Sequence, residues 1–287
     1  VILLVMVALF GTVAMGARRW LTIPHVTRFQ PSEFMKLAMP MMMAWFLAKR
    51  VLPPSLKVIA TAFIIIVVPA ALIARQPDLG TALLVAGSGF FVLFMAGLPW
   101  WFLGLAITGV AAIAPVAWHF LHDYQRQRLI TLINPEADPL GTGWNIIQSK
   151  TAIGSGGFWG KGWLNGSQAH LEFLPEGHTD FIFATMAEEW GLFGGLIIIS
   201  LYVLLMRWGL KVAMESTNRY GQLVAGGLTC TIFFYIMINL LMVVGFAPVA
   251  GLPLPFVSHG GSSMLTTMTC VGIILPIERH PGRRAFS

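Results

Sequence analysis

The sequence predicts an all-α membrane protein that crosses the bilayer several times, and two observations lead to this class. Of the 287 residues, 56% are hydrophobic and only 10% are charged, whereas a soluble domain carries about 25% charged residues. The apolar residues also run continuously instead of alternating with polar ones, which favours helices over barrel strands. The same composition excludes disordered, collagen-like and disulfide-rich classes. A net charge of +6 is typical of loops that face anionic headgroups and does not indicate a nucleic-acid partner.

A helix needs about 20 residues to cross a bilayer, and the chain has eight apolar segments bounded by basic residues, proline or glycine-rich turns. They are 1–15, 34–48, 58–74, 79–98, 102–121, 181–206, 222–246 and 262–277. The first has no basic leader and no cleavage site, so it is not a signal peptide. We expect it to be the second part of a helix that is cut short. The prediction is one transmembrane domain over residues 1–287 with eight membrane helices.

Residues 122–180 form a long connection between the fifth and sixth segments, rich in both charge and aromatic side chains. Long loops are usually functional or disordered, and the aromatic residues favour a folded one. Within it, residues 143–153 could form an amphipathic helix on the membrane surface. Basic residues divide evenly between the two faces, so the positive-inside rule does not decide the orientation. Because most acidic residues fall on the face that carries this loop, we predict that the loop is outside, in the periplasm.

Several charged residues lie at the edges of apolar segments, where they are costly unless paired or functional. Glu33 and Lys36 are three residues apart on one helix face, which suits a structural ion pair and a substrate contact equally well. Asp78 precedes the fourth segment, where helix capping is the simpler explanation. Glu188 and Glu189 lie two turns into the sixth segment, so at least one must face a polar cavity or a cation.

Three stretches carry candidate chemistry. The glycine-rich run around Lys161 could bring backbone amides to an anion, or be a flexible turn. Asp180 closes the long loop at the start of the sixth segment, where it either complements the helix dipole or acts as a general base that needs burial. The proline-rich and glycine-rich run before the last segment cannot be a regular helix. Its Ser258 and Ser262 could donate hydrogen bonds to a polar ligand, or the run could simply pack tightly around a broken helix.

Four motifs in this order give the chain a resemblance to a known family: RFQPSEFMKLA, QPDLGTALLV, LPEGHTDFIFATMAEEWGL and PLPFVSHGGSS. With the long loop between them, the chain resembles the SEDS proteins of shape, elongation, division and sporulation over essentially its whole length. NIIQSKTAIGSGGFWGKGWLNGSQ and HDYQRQRL are more similar to the rod-shape branch, RodA, than to the division branch, FtsW. The family has ten membrane helices, so the resemblance implies that the first two are missing from this chain.

The resemblance implies a peptidoglycan glycosyltransferase in the bacterial inner membrane that polymerises lipid II. It implies a class B penicillin-binding protein as partner, together with other membrane proteins of the elongation complex. Asp180 matches the essential aspartate of the family's loop. Glu33, Lys36 and Asp78 match polar positions around the central cavity. Two lysines match loop motifs without a fixed role, Lys150 and Lys161.

The expected chemistry is compatible with these residues. Lipid II carries its sugar on an α-linked diphosphate and the polymer is β-1,4-linked, so one inverting displacement needs one base and positive charge for the leaving group. A divalent cation such as Mg²⁺ or Mn²⁺ could supply part of that charge, and we expect no nucleotide or organic cofactor. The seven histidines show no zinc-site spacing, so any metal ligands stay unassigned. Two other functions remain open, a flippase for lipid-linked precursors and a non-catalytic scaffold of a cell-wall synthase.

Overall fold

The computed structural model describes residues 1–14, 17–23, 27–120, 123–134, 142–170, 173–174 and 176–279. This part of the chain is mostly helical with one small sheet. The helices are α1 Ile2–Phe10, α2 Pro31–Ala48, α3 Leu56–Ala74, α4 Leu79–Met95, α5 Trp100–Phe120, α6 Asp123–Ile133, α7 Thr142–Gly156, α8 Ser167–His170, α9 Ile182–Glu215, α10 Arg219–Val243 and α11 Gly261–Arg279. The strands are β1 Thr12–Ala14, β2 Ala17–Ile23 and β3 Thr27–Phe29.

Each of the eight predicted apolar segments contains a helix, and the chain is a helical membrane protein. Among the described helices, α3, α9, α10 and α11 are both long and apolar enough to cross a bilayer, and α4 is a shorter apolar helix. The count of eight membrane helices therefore stays a prediction. In the long loop, the amphipathic helix predicted at 143–153 corresponds to α7. No helix is assigned between residues 244 and 260, as the prolines and glycines there predicted.

The first predicted segment, 1–15, is wrong at its end, because α1 stops at Phe10 and the chain turns into strands. Gly11 adopts an extended conformation that ends the helix. β1 then pairs antiparallel with β2, and β2 pairs antiparallel with β3. These ladders satisfy backbone groups that a helix would otherwise pair. The all-α prediction therefore needs one addition, a three-stranded sheet between α1 and α2.

The chain divides into two compact units, and each is made of separate stretches of sequence. The first contains residues 1–97, 202–236 and those from 260 onward. Its core holds α2, α3 and α4 close together because α4 has a glycine at the contact. A Cβ added at Gly89 would lie 2.8 Å from Ile66 Cγ1 and 3.0 Å from Met39 Sδ. Small residues at such points let helix backbones approach closely in membrane proteins.

The second unit contains residues 98–201 and 237–259, and its main feature is a break in α9. Gly191 leaves the helical conformation with φ 66° and ψ −166°. This removes the bonds that the amides of Leu192 and Phe193 would make to the preceding turn. The glycine-rich segment 156–162 replaces them: Leu192 N–H donates to the Gly157 carbonyl at 2.9 Å, and Phe193 N–H to the Phe158 carbonyl at 3.3 Å.

The same segment also satisfies the carbonyls that the break leaves free. The amides of Lys161 and Gly162 donate to the Glu188 and Glu189 carbonyls, both at 3.0 Å. The approach is so close that a Cβ at Gly160 would lie 2.1 Å from the Glu189 carbonyl oxygen. The broken helix thus keeps its backbone groups paired, which apolar surroundings demand.

Candidate active site

Asp180 lies in the turns formed by residues 176–181, just before α9 begins at Ile182. Among the described residues, none donates a hydrogen bond to its carboxylate. The pKa of Asp180 is raised from 3.8 to about 6, chiefly because burial disfavours the charged form, and next because Glu176 is a like charge nearby. The Arg128 guanidinium acts in the opposite direction. A carboxylate with this pKa is largely ionised at neutral pH and still basic enough to accept a proton.

Three consecutive carbonyls hold the Asp180 turn from one side. The His178 carbonyl accepts from the His259 N–H at 3.0 Å. The Thr179 carbonyl accepts from Ser258 Oγ at 2.6 Å. The Asp180 carbonyl accepts from Asn239 Nδ2 at 2.8 Å. These bonds fix the turn that precedes α9, since they take the carbonyls of residues 178–180. Asp180 therefore lies two residues before the first residue of α9, at the N-terminal end of the helix, so an interaction with the helix dipole stays open beside the role of a base.

The sequence reasoning missed two residues that the structure brings to Asp180. Arg128 lies on α6, and its Nη1 donates to the Val249 carbonyl at 2.7 Å, which fixes the guanidinium whose charge acts on Asp180. Asn239 lies on α10 and is fully buried. Asn239 is the one amide side chain in the apolar run IMINLLMV. Because buried polar groups need hydrogen-bond partners, this pattern could have marked it in the sequence. Arg128 offered no comparable signal, since it is one of many charges in the loop.

The predicted residues Lys161 and Glu188 form an anchor in which Glu188 is buried and Lys161 is partly exposed. Lys161 Nζ lies 2.6 Å from Glu188 Oε1. The same carboxylate accepts from Ser167 Oγ at 3.1 Å and from the Gln168 N–H at 3.2 Å. The prediction that Glu188 or Glu189 faces a cation is confirmed. Because the Lys161 ammonium and its amide already have partners, the geometry favours a structural role for the glycine-rich run, and a phosphate contact by Lys161 stays a prediction.

Glu33 and Lys36 form a second buried pair, within the other compact unit. Lys36 Nζ lies 2.6 Å from Glu33 Oε1 and also donates to the Tyr235 hydroxyl. Glu33 Oε2 accepts from Tyr235 at 3.3 Å and from Thr266 Oγ1 at 3.2 Å. The structural-pair alternative is therefore realised, and Tyr235 and Thr266 are partners that the sequence did not suggest. A substrate contact by this cluster stays a prediction.

The other predicted residues have local partners or face outward. Asp78 caps α4, with Oδ1 accepting from the Thr81 N–H at 3.1 Å, and Oδ2 accepts from Gln30 Nε2 at 3.2 Å. The Ser258 hydroxyl donates to the Thr179 carbonyl in the Asp180 turn. Lys150 is exposed in the middle of α7, and its Cε would lie 2.4 Å from a Cβ added at Gly245. Ser262 is exposed in the first turn of α11, where it is accessible to a ligand.

The described residues do not contain a cluster of three His, Cys, Asp or Glu side chains that could hold a metal ion. A divalent cation therefore has no ready-made site in this part of the chain. Mg²⁺ often binds through few protein groups plus phosphate oxygens, so the expectation of a cation is left as a prediction.

Comparison with known proteins gives consistent results. The family model of FtsW, RodA and SpoVE cell cycle proteins matches residues 1–282. The peptidoglycan glycosyltransferase MrdB of Escherichia coli strain K12 is 53% identical over 281 residues, covering 98% of this chain and 76% of that protein. The peptidoglycan glycosyltransferase RodA of Treponema pallidum is 33% identical over 350 residues, covering 97% of this chain and 81% of that protein.

Solved structures share the fold. A chain from a peptidoglycan synthase complex that coordinates polymerisation and crosslinking matches with a TM-score of 0.83 and 31% identity, covering 98% of this chain and 79% of that chain. The rod shape determining protein RodA of Thermus thermophilus matches with a TM-score of 0.70 and 28% identity, covering 98% of this chain and 76% of that chain.

Proposed function

This chain belongs to the FtsW, RodA and SpoVE family of cell cycle proteins, and from that premise we propose that it is a peptidoglycan glycosyltransferase that polymerises lipid II during cell elongation. The identity of 53% to a peptidoglycan glycosyltransferase supports the activity and the rod-shape branch. The observation that carries the mechanism is the carboxylate of Asp180, which is held by its backbone and has a pKa of about 6.

Asp180 is the general base of the proposed reaction. The 4-hydroxyl of one sugar attacks C1 of another, Asp180 takes the hydroxyl proton, and the C1–oxygen bond to undecaprenyl diphosphate breaks on the opposite face. One displacement converts the α-linked donor into a β-1,4 linkage. A base with a pKa near the working pH combines sufficient ionisation with sufficient basicity. Asp180 meets this requirement because burial offsets the nearby Arg128 charge.

Positive charge must accompany the departure of the diphosphate. Arg128 is the cation that the structure brings near Asp180, and its guanidinium is held by the Val249 carbonyl. A guanidinium is well suited to phosphate oxygens because its donors form a fixed fork. A divalent cation, if used, would arrive bound mainly to the substrate's diphosphate. Lys150, exposed on α7, is a second candidate for the diphosphate.

We also propose the location and the partner. The apolar helices place the chain in a membrane, and the family resemblance supports the bacterial inner membrane, with residues 122–180 in the periplasm. The similarity to a chain of a synthase complex that couples polymerisation to crosslinking supports a class B penicillin-binding protein as partner. Other membrane proteins of the elongation complex would complete the assembly.

The function is tested by incubating purified protein with labelled lipid II and separating the products by size. Glycan strands are expected from the wild type, and no strands from Asp180→Asn. Glycan strands from both proteins would show that Asp180 is not the general base. If folded wild-type protein makes no product even in the presence of its partner, the flippase or scaffold alternatives are favoured.

The orientation is tested with single engineered cysteines in intact spheroplasts. Asn165→Cys in the long loop should react with an impermeant maleimide, and Ser55→Cys in the turn before α3 should react only after lysis. Both positions are exposed, and the native Cys230 and Cys270 are buried, which keeps background labelling low. The reverse pattern would invert the proposed orientation.

A further inference from the structure

Asn239 makes two hydrogen bonds from one buried amide group to two separate backbone segments. Its Nδ2 donates to the Asp180 carbonyl at 2.8 Å and to the Leu252 carbonyl at 2.7 Å. Because both acceptors are carbonyl oxygens, the amide nitrogen must face them. The side chain is fully buried, so it does not touch substrate. Its Oδ1 has no hydrogen-bond partner among the described residues, which is costly and needs a reason.

We propose that Asn239 is a positioning residue that, with Ser258, clamps the Asp180 turn to the segment 252–259 and so sets where the Asp180 carboxylate stands. This inference rests on the proposed function. Ser258 Oγ donates to the Thr179 carbonyl and accepts from the Leu254 N–H at 2.7 Å. The two side chains therefore hold adjacent carbonyls of the same turn, and each ties that turn to one end of the segment.

The clamp matters because the carboxylate environment depends on the backbone position. The charged groups that act on Asp180 are Glu176 from its own turn and Arg128 from α6. From the segment after α10, the neighbour is Gly251, where an added Cβ would lie 3.7 Å from Asp180 Oδ2. Gly251 and Asn239 do not titrate. Releasing the turn would let the carboxylate move toward water, which lowers its pKa and misaligns it with the hydroxyl. A misplacement of about 1 Å can cost about 100-fold in rate.

The test measures polymerisation of lipid II against pH by the full chain, per folded molecule, for the wild type, Asn239→Ala and Ser258→Ala. The control is Thr231→Val, because Thr231 is also buried on α10 and its hydroxyl donates only to the Gly227 carbonyl of its own helix. We expect Asn239→Ala to lower kcat by about 10- to 100-fold with little change in KM, and to move the acid limb of kcat to lower pH. Thr231→Val should retain both the rate and the limb.

Two results would overturn the inference. One is a folded Asn239→Ala protein with a lowered rate but an unmoved acid limb, which indicates a general structural role. The other is full additivity of the Asn239→Ala and Ser258→Ala losses, since residues that hold one turn should couple. If Asn239→Ala does not fold, Asn239→Ser and Ser258→Ala are read by the same two criteria. If the inference about Asn239 fails, polymerisation by the wild type and the inactivity of Asp180→Asn still stand, so this failure is distinguishable from failure of the proposed function.

Discussion

Asp180 and Glu188 are carboxylates eight residues apart in the same compact unit, yet they differ in burial, in hydrogen bonding and in the compensation of their charge. Glu188 is fully buried and is compensated by the Lys161 ammonium, two hydroxyls and a backbone amide. Asp180 is only partly buried, has a like charge nearby and accepts no hydrogen bond from the described residues. The first arrangement stabilises a fixed charge, and the second leaves a carboxylate able to take a proton. The difference between Glu188 as an anchor and Asp180 as a base therefore comes from how far each negative charge is compensated, more than from its position in the chain.

The sharpest way to break this comparison is to remove each charge with the matching amide. Asp180→Asn should remove polymerisation, a loss of about 100- to 10,000-fold for a missing general base, while the protein still inserts and binds its partner. Glu188→Gln should keep turnover per folded molecule but lower stability by about 1–3 kcal/mol. That value lies below the range for fully buried pairs, because the Lys161 side chain is 29% exposed. Product assays and detergent unfolding curves measure the two losses. A Glu188→Gln protein that is stable but inactive would contradict the division of roles.

The Glu33–Lys36 pair extends the comparison to a carboxylate whose cation is also buried. Lys36→Ala should cost about 3–4 kcal/mol of stability, since it leaves Glu33 uncompensated in an apolar region. Lys57→Ala, at an exposed position near the start of α3, should cost under about 1 kcal/mol. Polymerisation should fall more for Lys36→Ala even after normalisation to folded protein. Equal rates per folded molecule would remove the idea of a working polar cavity around this pair.

The Glu188 anchor also depends on the glycine-rich segment that fits into the break of α9. Gly160→Ala should destabilise the protein by about 2–4 kcal/mol, because the new Cβ overlaps the Glu189 carbonyl and Gly160 has φ +77°. Gly154→Ala is the matched control: its Cβ would have no neighbour within 4 Å. In the helical context of α7 that change should be neutral or stabilise by about 0.5–1 kcal/mol. Thermal unfolding in detergent compares the two variants. Equal melting temperatures would contradict a close contact between the glycine-rich segment and the break of α9.

The smallest expected effect is the pH dependence of stability that comes from Asp180. Its pKa is raised from 3.8 to about 6 in the fold, so the folded state disfavours the ionised form and stability falls as pH rises from about 4 to above 6. The full shift corresponds to about 3 kcal/mol, and partial exposure reduces this to about 1–2 kcal/mol. Asp180→Asn should therefore be more stable than the wild type at pH 7.5 and equally stable near pH 4. Unfolding curves of both proteins at the two pH values measure this difference in stability. The same difference at both pH values would contradict a raised pKa.

The sequence predicted those parts of the molecule that follow from local composition. Apolar runs located the helices, Asp78 was expected to be a cap, and the spacing of Glu33 and Lys36 offered an ion pair as one of two alternatives. The sheet of β1–β3 was missed because β1 and β3 have only three residues each, and β1 follows the apolar α1 with only Gly11 between them. The break of α9 at Gly191 was not predicted, since nothing in the local sequence shows that a distant segment replaces the hydrogen bonds lost there.

The candidate site shows the same limit. Asp180 was found through the family resemblance and its place at the end of the loop, but its turn is determined by bonds to Ser258 and Asn239, which are distant in sequence. Ser258 was one candidate for a hydrogen bond to a polar ligand, and in the structure its hydroxyl donates to the Thr179 carbonyl. Arg128 could not be distinguished from other loop charges until α6 placed it. Partners that come from distant segments are set by tertiary packing, which a local pattern does not encode.

The break at Gly191 also decides how much of α9 lies in the bilayer. A continuous helix of 34 residues would measure about 51 Å, well beyond a hydrocarbon thickness of about 30 Å. Residues 192–215 alone measure about 36 Å, which fits the bilayer with a modest tilt. Residues 182–190 are then left on the headgroup side, where Glu188 and Glu189 need not enter hydrocarbon. One apolar run in the sequence thus yields a membrane helix of ordinary length and a short helix that carries carboxylates above it.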